Sequence, residues 1–193
     1  MIIIEHKLSF MNLKIDKSWS LFLDRDGVIN ERLPDDYVKT WEEFRFINGS
    51  LEAIKILAQS FGIVVVVSNQ QGVGKGLMSD PDLQQIHLRM QRTTTESGGR
   101  IDKVYYSPYL ASEKHHTRKP RVGMGILARR DFSAISFKKS VMVGDSFGDV
   151  LFGKRLGMKT VFIGDRHFAR QHPDLIDFVF PDLITFAKSI EML

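Results

Sequence analysis

The chain has 193 residues, 43% of them hydrophobic and 26% charged, which are the proportions of a soluble globular protein able to bury one sizeable core. It contains no cysteine, which excludes disulfides and thiolate metal sites, and no apolar run approaches the length that spans a bilayer. The net charge of +4 favours anionic partners, but no Lys/Arg block or interleaved aromatic stripe marks a nucleic-acid groove.

Met1-Ile2-Ile3-Ile4 opens apolar, but Glu5, His6 and Lys7 interrupt it before a signal-peptide core forms, so a cytoplasmic location is expected. Residues 1–17 read as an N-terminal extension, either an extra edge strand or an ordered arm. The first core strand is predicted over Ser20–Asp24. A helix over Ser50–Ser60 puts Leu51, Ile54, Leu57 and Ala58 on one face. The strand Ile63–Ser68 contains Ile63-Val64-Val65-Val66-Val67, β-branched and apolar on both faces, as a central strand covered by helices should be. The helix Asp80–Ser97 is expected to start with Asp80 as its cap and Pro81 at its first position, and to stop at Gly98-Gly99. The strand Lys103–Ser107, the helix Val122–Asp131 and the strand Ser140–Gly144 follow. A helix over Phe147–Leu156 ends at Gly157 as an αL stop. The strand Thr160–Ile163, a short Phe178–Phe180 piece at one edge and a helix Leu183–Glu191 complete the set. This alternation predicts an α/β fold, a three-layer doubly wound parallel sheet. Without a repeat or linker, residues 1–193 are expected to form a single domain.

Four polar segments follow four of these strands. Asp24-Arg25-Asp26-Gly27-Val28 puts two carboxylates one residue apart at a strand end. Two unit charges about 4 Å apart repel by roughly 4 kcal/mol at an effective dielectric of 20, a cost that a bound divalent cation turns into a gain. Read alone, Asp-x-Asp-Gly is also an ordinary turn. Ser68-Asn69-Gln70-Gln71-Gly72-Val73-Gly74-Lys75-Gly76 joins a hydroxyl to a glycine-rich loop whose free N–H groups could hold a phosphate, or is simply a flexible polar loop. Arg118-Lys119-Pro120 offers a fork and a point charge to phosphoryl oxygens, or two solvated cations. Gly144-Asp145-Ser146-Phe147-Gly148-Asp149 brings two more carboxylates, which helix capping by Asp145 and first-turn charge at Asp149 would also explain. In a parallel sheet the carboxyl ends of the strands share one rim, so the four segments converge on one crevice. Together they supply a nucleophile, a metal cage and phosphate-binding donors.

In these four motifs, which run in order from Asp24 to Asp149, the chain resembles the haloacid dehalogenase superfamily of aspartate-based phosphohydrolases. The segments Leu-Asp-Arg-Asp-Gly-Val-Ile-Asn, Ser-Asn-Gln-Gln-Gly-Val-Gly-Lys-Gly and Arg-Lys-Pro are similar to the branch of histidinol-phosphate and heptose-1,7-bisphosphate phosphatases. The resemblance implies a Rossmann-like three-layer fold without a separate cap domain and a phosphoric monoester hydrolase dependent on magnesium. It implies Asp24 as the nucleophile and Asp26 as the acid and base. Magnesium would sit between the carboxylates of Asp24 and Asp145 and the carbonyl of Asp26, with Asp149 behind them. Ser68, Asn69 and Lys119 would bind the transferring phosphoryl group, and Arg118 and Lys75 would face the rest of the substrate.

Many members of this branch carry a structural zinc loop, with cysteines and a histidine, before Arg-Lys-Pro. Here residues 107–117 hold only the adjacent His115 and His116, so no structural zinc is expected. Lys75 stands where relatives usually have arginine. The expected partner is a small phosphorylated metabolite, most naturally a heptose bisphosphate, with no membrane and no nucleic acid, and the protein is expected to be a monomer or weak homo-oligomer. Histidinol phosphate, a polynucleotide 3′-phosphate and an inactive binding module on the same fold remain as alternatives.

Overall fold

The computed structural model describes residues 13–191. Strand β1 (Ser20–Leu23) is followed by helix α1 (Ser50–Ser60), β2 (Ile63–Asn69), a helical turn α2 (Gln71–Gly74), α3 (Asp80–Glu96), β3 (Lys103–Ser107) and α4 (Gly123–Asp131). Then come β4 (Ser140–Gly144), α5 (Phe147–Leu156), β5 (Lys159–Ile163), α6 (Arg166–Gln171), β6 (Phe178–Phe180) and α7 (Leu183–Glu191). The strands form a 6-stranded sheet in the order β3-β2-β1-β4-β5-β6, parallel at every pairing. The predicted α/β doubly wound sheet is therefore present.

Alternation along the strands sorts the core. Leu21 and Leu23 of β1, Val64 and Val66 of β2, and Val141 and Val143 of β4 face one layer, where Ile54 and Leu57 of α1, Ile86 and Met90 of α3, and Phe186 and Ile190 of α7 cover them. The intervening Phe22, Val65, Val67 and Met142 face the other layer, against Met124 and Ala128 of α4 and Phe152 of α5. Burying each such side chain contributes about 1.5–3 kcal/mol, so the two-sided pattern commits both faces of the sheet to helices.

Several local expectations are corrected. The α3 cap is Ser79, not Asp80. Ser79 Oγ accepts from the Asp82 N–H and the Asp82 side chain accepts from the Ser79 N–H, with Pro81 inside the first turn. The α5 cap is Ser146 rather than Asp145, in a capping box with Asp149. Gly157 does stop α5 in the left-handed region, at φ 77°. The glycine-rich segment after β2 is not an open loop. It winds into α2, and the N–H groups of Gln70, Val73, Gly74, Lys75 and Gly76 already donate to carbonyls. Glycine serves close approach there, because a Cβ on Gly74 would run into the Pro108 carbonyl. Helix α6 was not anticipated. Of the N-terminal extension, residues 1–12 lie outside the described residues. Leu13 and Ile15 pack on the core and Lys17 Nζ donates to the Ala58 carbonyl (2.9 Å), with no strand over 13–17.

Candidate active site

The strand order reverses direction between β1 and β4, which are neighbours in the sheet but far apart in sequence. Crevices at such a switch point are where open α/β sheets bind ligands. Asp24 follows β1 and its N–H donates to the Val143 carbonyl of β4 (2.9 Å), while Asp145 follows β4. Asp24, Asp145 and Asp149 each present an oxygen within 4.8 Å of the others. Lys119 reaches them from the loop after β3. Its Nζ lies 2.8 Å from Asp24 Oδ1 and 2.5 Å from Asp149 Oδ1, and it donates to the Val67 carbonyl at 2.6 Å. The Arg25 N–H also donates to Asp24 Oδ1, at 2.7 Å. Both contacts fall on one oxygen, so the Asp24 carboxyl is held in one rotation with inequivalent oxygens.

The backbone makes room for this cluster. Gly27 has φ 87°, and a Cβ there would overlap the Asp145 carboxylate; a Cβ on Gly144 would overlap Asp149. Only glycine lets the turn after β1 lie against the carboxylate delivered by β4.

Three carboxylates face one buried ammonium, with only the half-exposed Arg32 guanidinium reaching Asp145 from outside, so negative charge is in excess in the cluster. Burial, then the charge of Asp149, pushes the Asp24 carboxyl up to about 7 against the pull of Lys119. Asp145 is pushed up to about 6, again mainly by burial, with Arg32 pulling the other way. Burial alone would lower the Lys119 ammonium, but Asp149 and Asp24 outweigh it and hold it above its usual range. A hard divalent cation fits the donor set, since the oxygens are carboxylates and negative charge is in excess among them. One nitrogen of Arg32, half exposed, approaches Asp145 Oδ1 at 2.7 Å and the Asp26 carbonyl at 3.4 Å.

Asp26 points differently. Its Oδ1 accepts from Arg25 Nη2 (2.9 Å), Arg25 Nε (3.3 Å) and Asn30 Nδ2 (2.9 Å), and its Oδ2 accepts from Gln70 Nε2 (2.7 Å). Burial raises this carboxyl, yet the Arg25 charge and these hydrogen bonds together hold it below the usual range. Gln70 Nε2 also donates to the buried Ser68 Oγ at 2.8 Å. Asn69, expected among the phosphate donors, has its side chain committed to the main chain of Lys119. Its Nδ2 donates to the Lys119 carbonyl (3.0 Å) and its Oδ1 accepts from the Lys119 N–H (2.9 Å). It is a clamp on the loop that carries the ammonium.

At the rim, Arg118 donates to the Tyr109 carbonyl (3.1 Å), Lys75 Nζ sits 5.1 Å from the Tyr37 ring centroid, and Gln71 donates to Tyr37 Oη (2.6 Å). His115 stacks on Tyr109 with centroids 3.5 Å apart and sets its Nδ1 2.8 Å from Thr117 Oγ1. The sequence reading missed Gln70, Asn30, Arg32 and the buried His87 described below. Asn30 and Gln70 lie inside the motifs, but nothing local says where their amides point.

A parallel sheet of this order, with paired carboxylates at β1 and β4 and a buried lysine between them, defines a phosphatase of the haloacid dehalogenase type. The family described as polynucleotide kinase 3 phosphatase matches residues 21–184, and the chain belongs to it. It is 41% identical over 132 residues to the D-glycero-alpha-D-manno-heptose-1,7-bisphosphate 7-phosphatase of Mycobacterium bovis, covering 68% of this chain and 70% of that protein. With the D-glycero-beta-D-manno-heptose-1,7-bisphosphate 7-phosphatase of Pseudomonas putida it shares 33% identity over 174 residues, 88% of this chain and 98% of that protein. The crystal structure of the D,D-heptose 1,7-bisphosphate phosphatase from B. bronchiseptica, complexed with magnesium and phosphate, superposes with a TM-score of 0.81 at 29% identity, covering 90% of this chain and 98% of that one. L-2-haloacid dehalogenase from Xanthobacter autotrophicus shares the fold alone, at 11% identity and a TM-score of 0.58 over 92% of this chain and 99% of that one. Among the described residues no helix is long and apolar enough to cross a membrane.

Proposed function

We propose that this phosphatase removes one phosphate from a heptose 1,7-bisphosphate, using magnesium. The observation that carries the reading is the meeting of Asp24, Asp145, Asp149 and Lys119 in one buried cluster at the switch point. Phosphate monoesters are among the slowest uncatalysed hydrolyses, so up to roughly 20 kcal/mol of barrier lowering is needed. Covalent catalysis divides that task.

In the first step an Asp24 oxygen forms a bond to phosphorus while the ester P–O bond breaks, and Asp26 gives a proton to the leaving sugar oxygen. Water then attacks the phosphorus of the aspartyl-phosphate and gives a proton to Asp26 as the Asp24 O–P bond breaks, which releases inorganic phosphate and restores the Asp24 carboxylate. Lys119 supplies positive charge to the equatorial oxygens in both steps, and Ser68 adds a hydroxyl beside them. The carboxylates of Asp24 and Asp145 and the Asp26 carbonyl would hold magnesium, Asp149 supporting them, and the ion would neutralise charge on the transferring group. In the free protein the charge of Arg25 favours Asp26 as a carboxylate, so protonation for the acid role is expected when a phosphate dianion arrives beside it.

A second phosphate on the substrate suits the rim. Among the described residues neither Arg118 nor Lys75 forms an ion pair; Arg118 donates to the Tyr109 carbonyl and Lys75 lies over the Tyr37 ring. A bisphosphate would give these cations an anionic partner.

The test compares both anomers of heptose 1,7-bisphosphate with histidinol phosphate and a 3′-phosphorylated oligonucleotide at matched concentration. A preference of at least tenfold for one heptose bisphosphate is expected, abolished by Asp24→Asn and by EDTA and restored by magnesium. Preferred turnover of the oligonucleotide would reject the substrate. Absence of any magnesium-dependent turnover would reject the enzymatic reading.

A further inference from the structure

Arg25, between the two motif carboxylates, has the largest fully buried side chain in the described structure. A buried guanidinium is costly unless its donors are met. Its Nε and Nη2 go to Asp26 Oδ1 (3.3 and 2.9 Å), and its Nη1 lies 3.2 Å from Nε2 of His87. His87 belongs to α3, a helix that contributes none of the motif residues. A guanidinium can only donate, so His87 Nε2 must be unprotonated and accept.

The surroundings keep it that way. His87 is only 4% exposed, and its ring packs 5.3 Å from that of Tyr106, whose hydroxyl is tied to Asp80 Oδ1 at 2.8 Å. Burial first, and the Arg25 charge second, push its pKa down to about 3. A carboxylate at this position would compete with Asp26 for the guanidinium, and a cation would repel it. A neutral acceptor takes Nη1 and leaves Nε and Nη2 to Asp26.

We infer that His87 is a positioning residue for the reaction: its Nε2 orients the Arg25 guanidinium, and Arg25 in turn holds Oδ1 of Asp26 so that Asp26 can exchange a proton with the leaving oxygen. This rests on the proposed role of Asp26 as acid and base. Gln70, just after β2, holds the other oxygen, so the carboxyl is bracketed from two sides. With the histidine acceptor gone, Nη1 would be buried without a partner and the guanidinium would turn to satisfy it, releasing one side of the bracket.

The test exploits leaving groups. An alkyl phosphate needs a proton on its departing oxygen, whereas para-nitrophenyl phosphate releases a stable phenolate and barely needs one. His87→Phe keeps the ring volume and removes the acceptor, while His87→Gln sets an amide oxygen near the Nε2 position. General acid–base catalysis typically contributes 10²–10⁴-fold, and mispositioning forfeits part of it. His87→Phe is expected to lose roughly ten- to hundredfold in kcat/KM on the sugar phosphate and less than about threefold on the aryl phosphate, and His87→Gln to recover most of the loss. Equal losses on both substrates, or none on either, would overturn the inference.

Asp26→Asn, measured in parallel, separates the two readings. If it too lacks leaving-group dependence, the Asp26 assignment fails and His87 with it; if it shows the dependence and His87→Phe does not, only the His87 inference fails. Nitrogen NMR of the wild-type protein gives a check independent of how the variants fold. The neutral Nδ1–H tautomer of His87 is expected at neutral pH, and a proton on Nε2 would refute the contact.

Discussion

Lys119 Nζ lies 2.8 Å from Oδ1 of Asp24, with the two side chains 2% and 9% exposed, so an ammonium and a carboxylate from different loops share one nearly dry space. The pair is incomplete as a charge balance, since Asp149 is also in contact with the ammonium at 2.5 Å.

Removing the ammonium therefore strands two buried carboxylates. Breaking a buried ion pair from one side typically costs 3–5 kcal/mol. Lys119→Met is expected to destabilise the metal-free protein by about that amount, read by urea unfolding in EDTA. Magnesium should return part of the loss by neutralising the carboxylates. Turnover should fall by at least about 10³-fold with magnesium present, in line with the loss of a preorganised charge at the reacting group. Lys119→Arg should not restore turnover, because a planar fork does not fit where a point charge meets two carboxylates and the Val67 carbonyl.

The raised carboxyls make stability fall as pH rises. Asp24 and Asp145 are pushed up to about 7 and about 6, against about 3.9 in an unfolded chain. Between those values the folded state binds more protons than the unfolded one. Their contribution is complete below about pH 4 and is lost as pH climbs through 6 and 7, with a slope of up to about 1.4 kcal/mol per pH unit for each extra proton held. Urea midpoints in EDTA from pH 4.5 to 7.5, wild type against Asp145→Asn, should show the variant losing less over this window. Magnesium competes with those protons, so its affinity, measured by calorimetry, should rise over the same range. A pH-independent affinity would contradict this.

Gly27 should not tolerate a side chain. Its φ of 87° costs an L residue roughly 1–2 kcal/mol, and the added Cβ would overlap the Asp145 carboxylate. Gly27→Ala is expected to lower stability by at least about 1 kcal/mol and magnesium affinity about tenfold. The second effect distinguishes displacement of Asp145 from simple backbone strain. A variant that binds magnesium normally would show that the turn relaxes without moving the carboxylate.

The fold, the aspartates and Lys119 were legible because each rests on a local signal. The β-branched run Val64–Val67 can be satisfied only by burial on both sides, and a charge placed right after such a run must lie at the sheet rim. The amides and the second layer were not legible. Asn69 looks like a phosphate donor until the loop bearing Lys119 folds back onto it, and the segment after β2 looks open until Gly74 donates to the Pro108 carbonyl and Gly76 to that of Val73. Arg25 gives no hint that its guanidinium turns inward to Asp26 and a histidine on α3.

What the amino-acid order alone determined was the sheet, its two buried faces and the identity of the charges delivered to its carboxyl edge, since strand periodicity and the polar residue after each strand are properties of neighbours in the chain. What only the tertiary structure decided was which oxygen meets which donor: Lys119 on Asp24 Oδ1, Gln70 on Asp26 Oδ2, His87 on Arg25. Those pairings join residues from separate elements, and a hydrogen bond needs tenths of an ångström and a definite direction. Helix packing against the sheet supplies that precision.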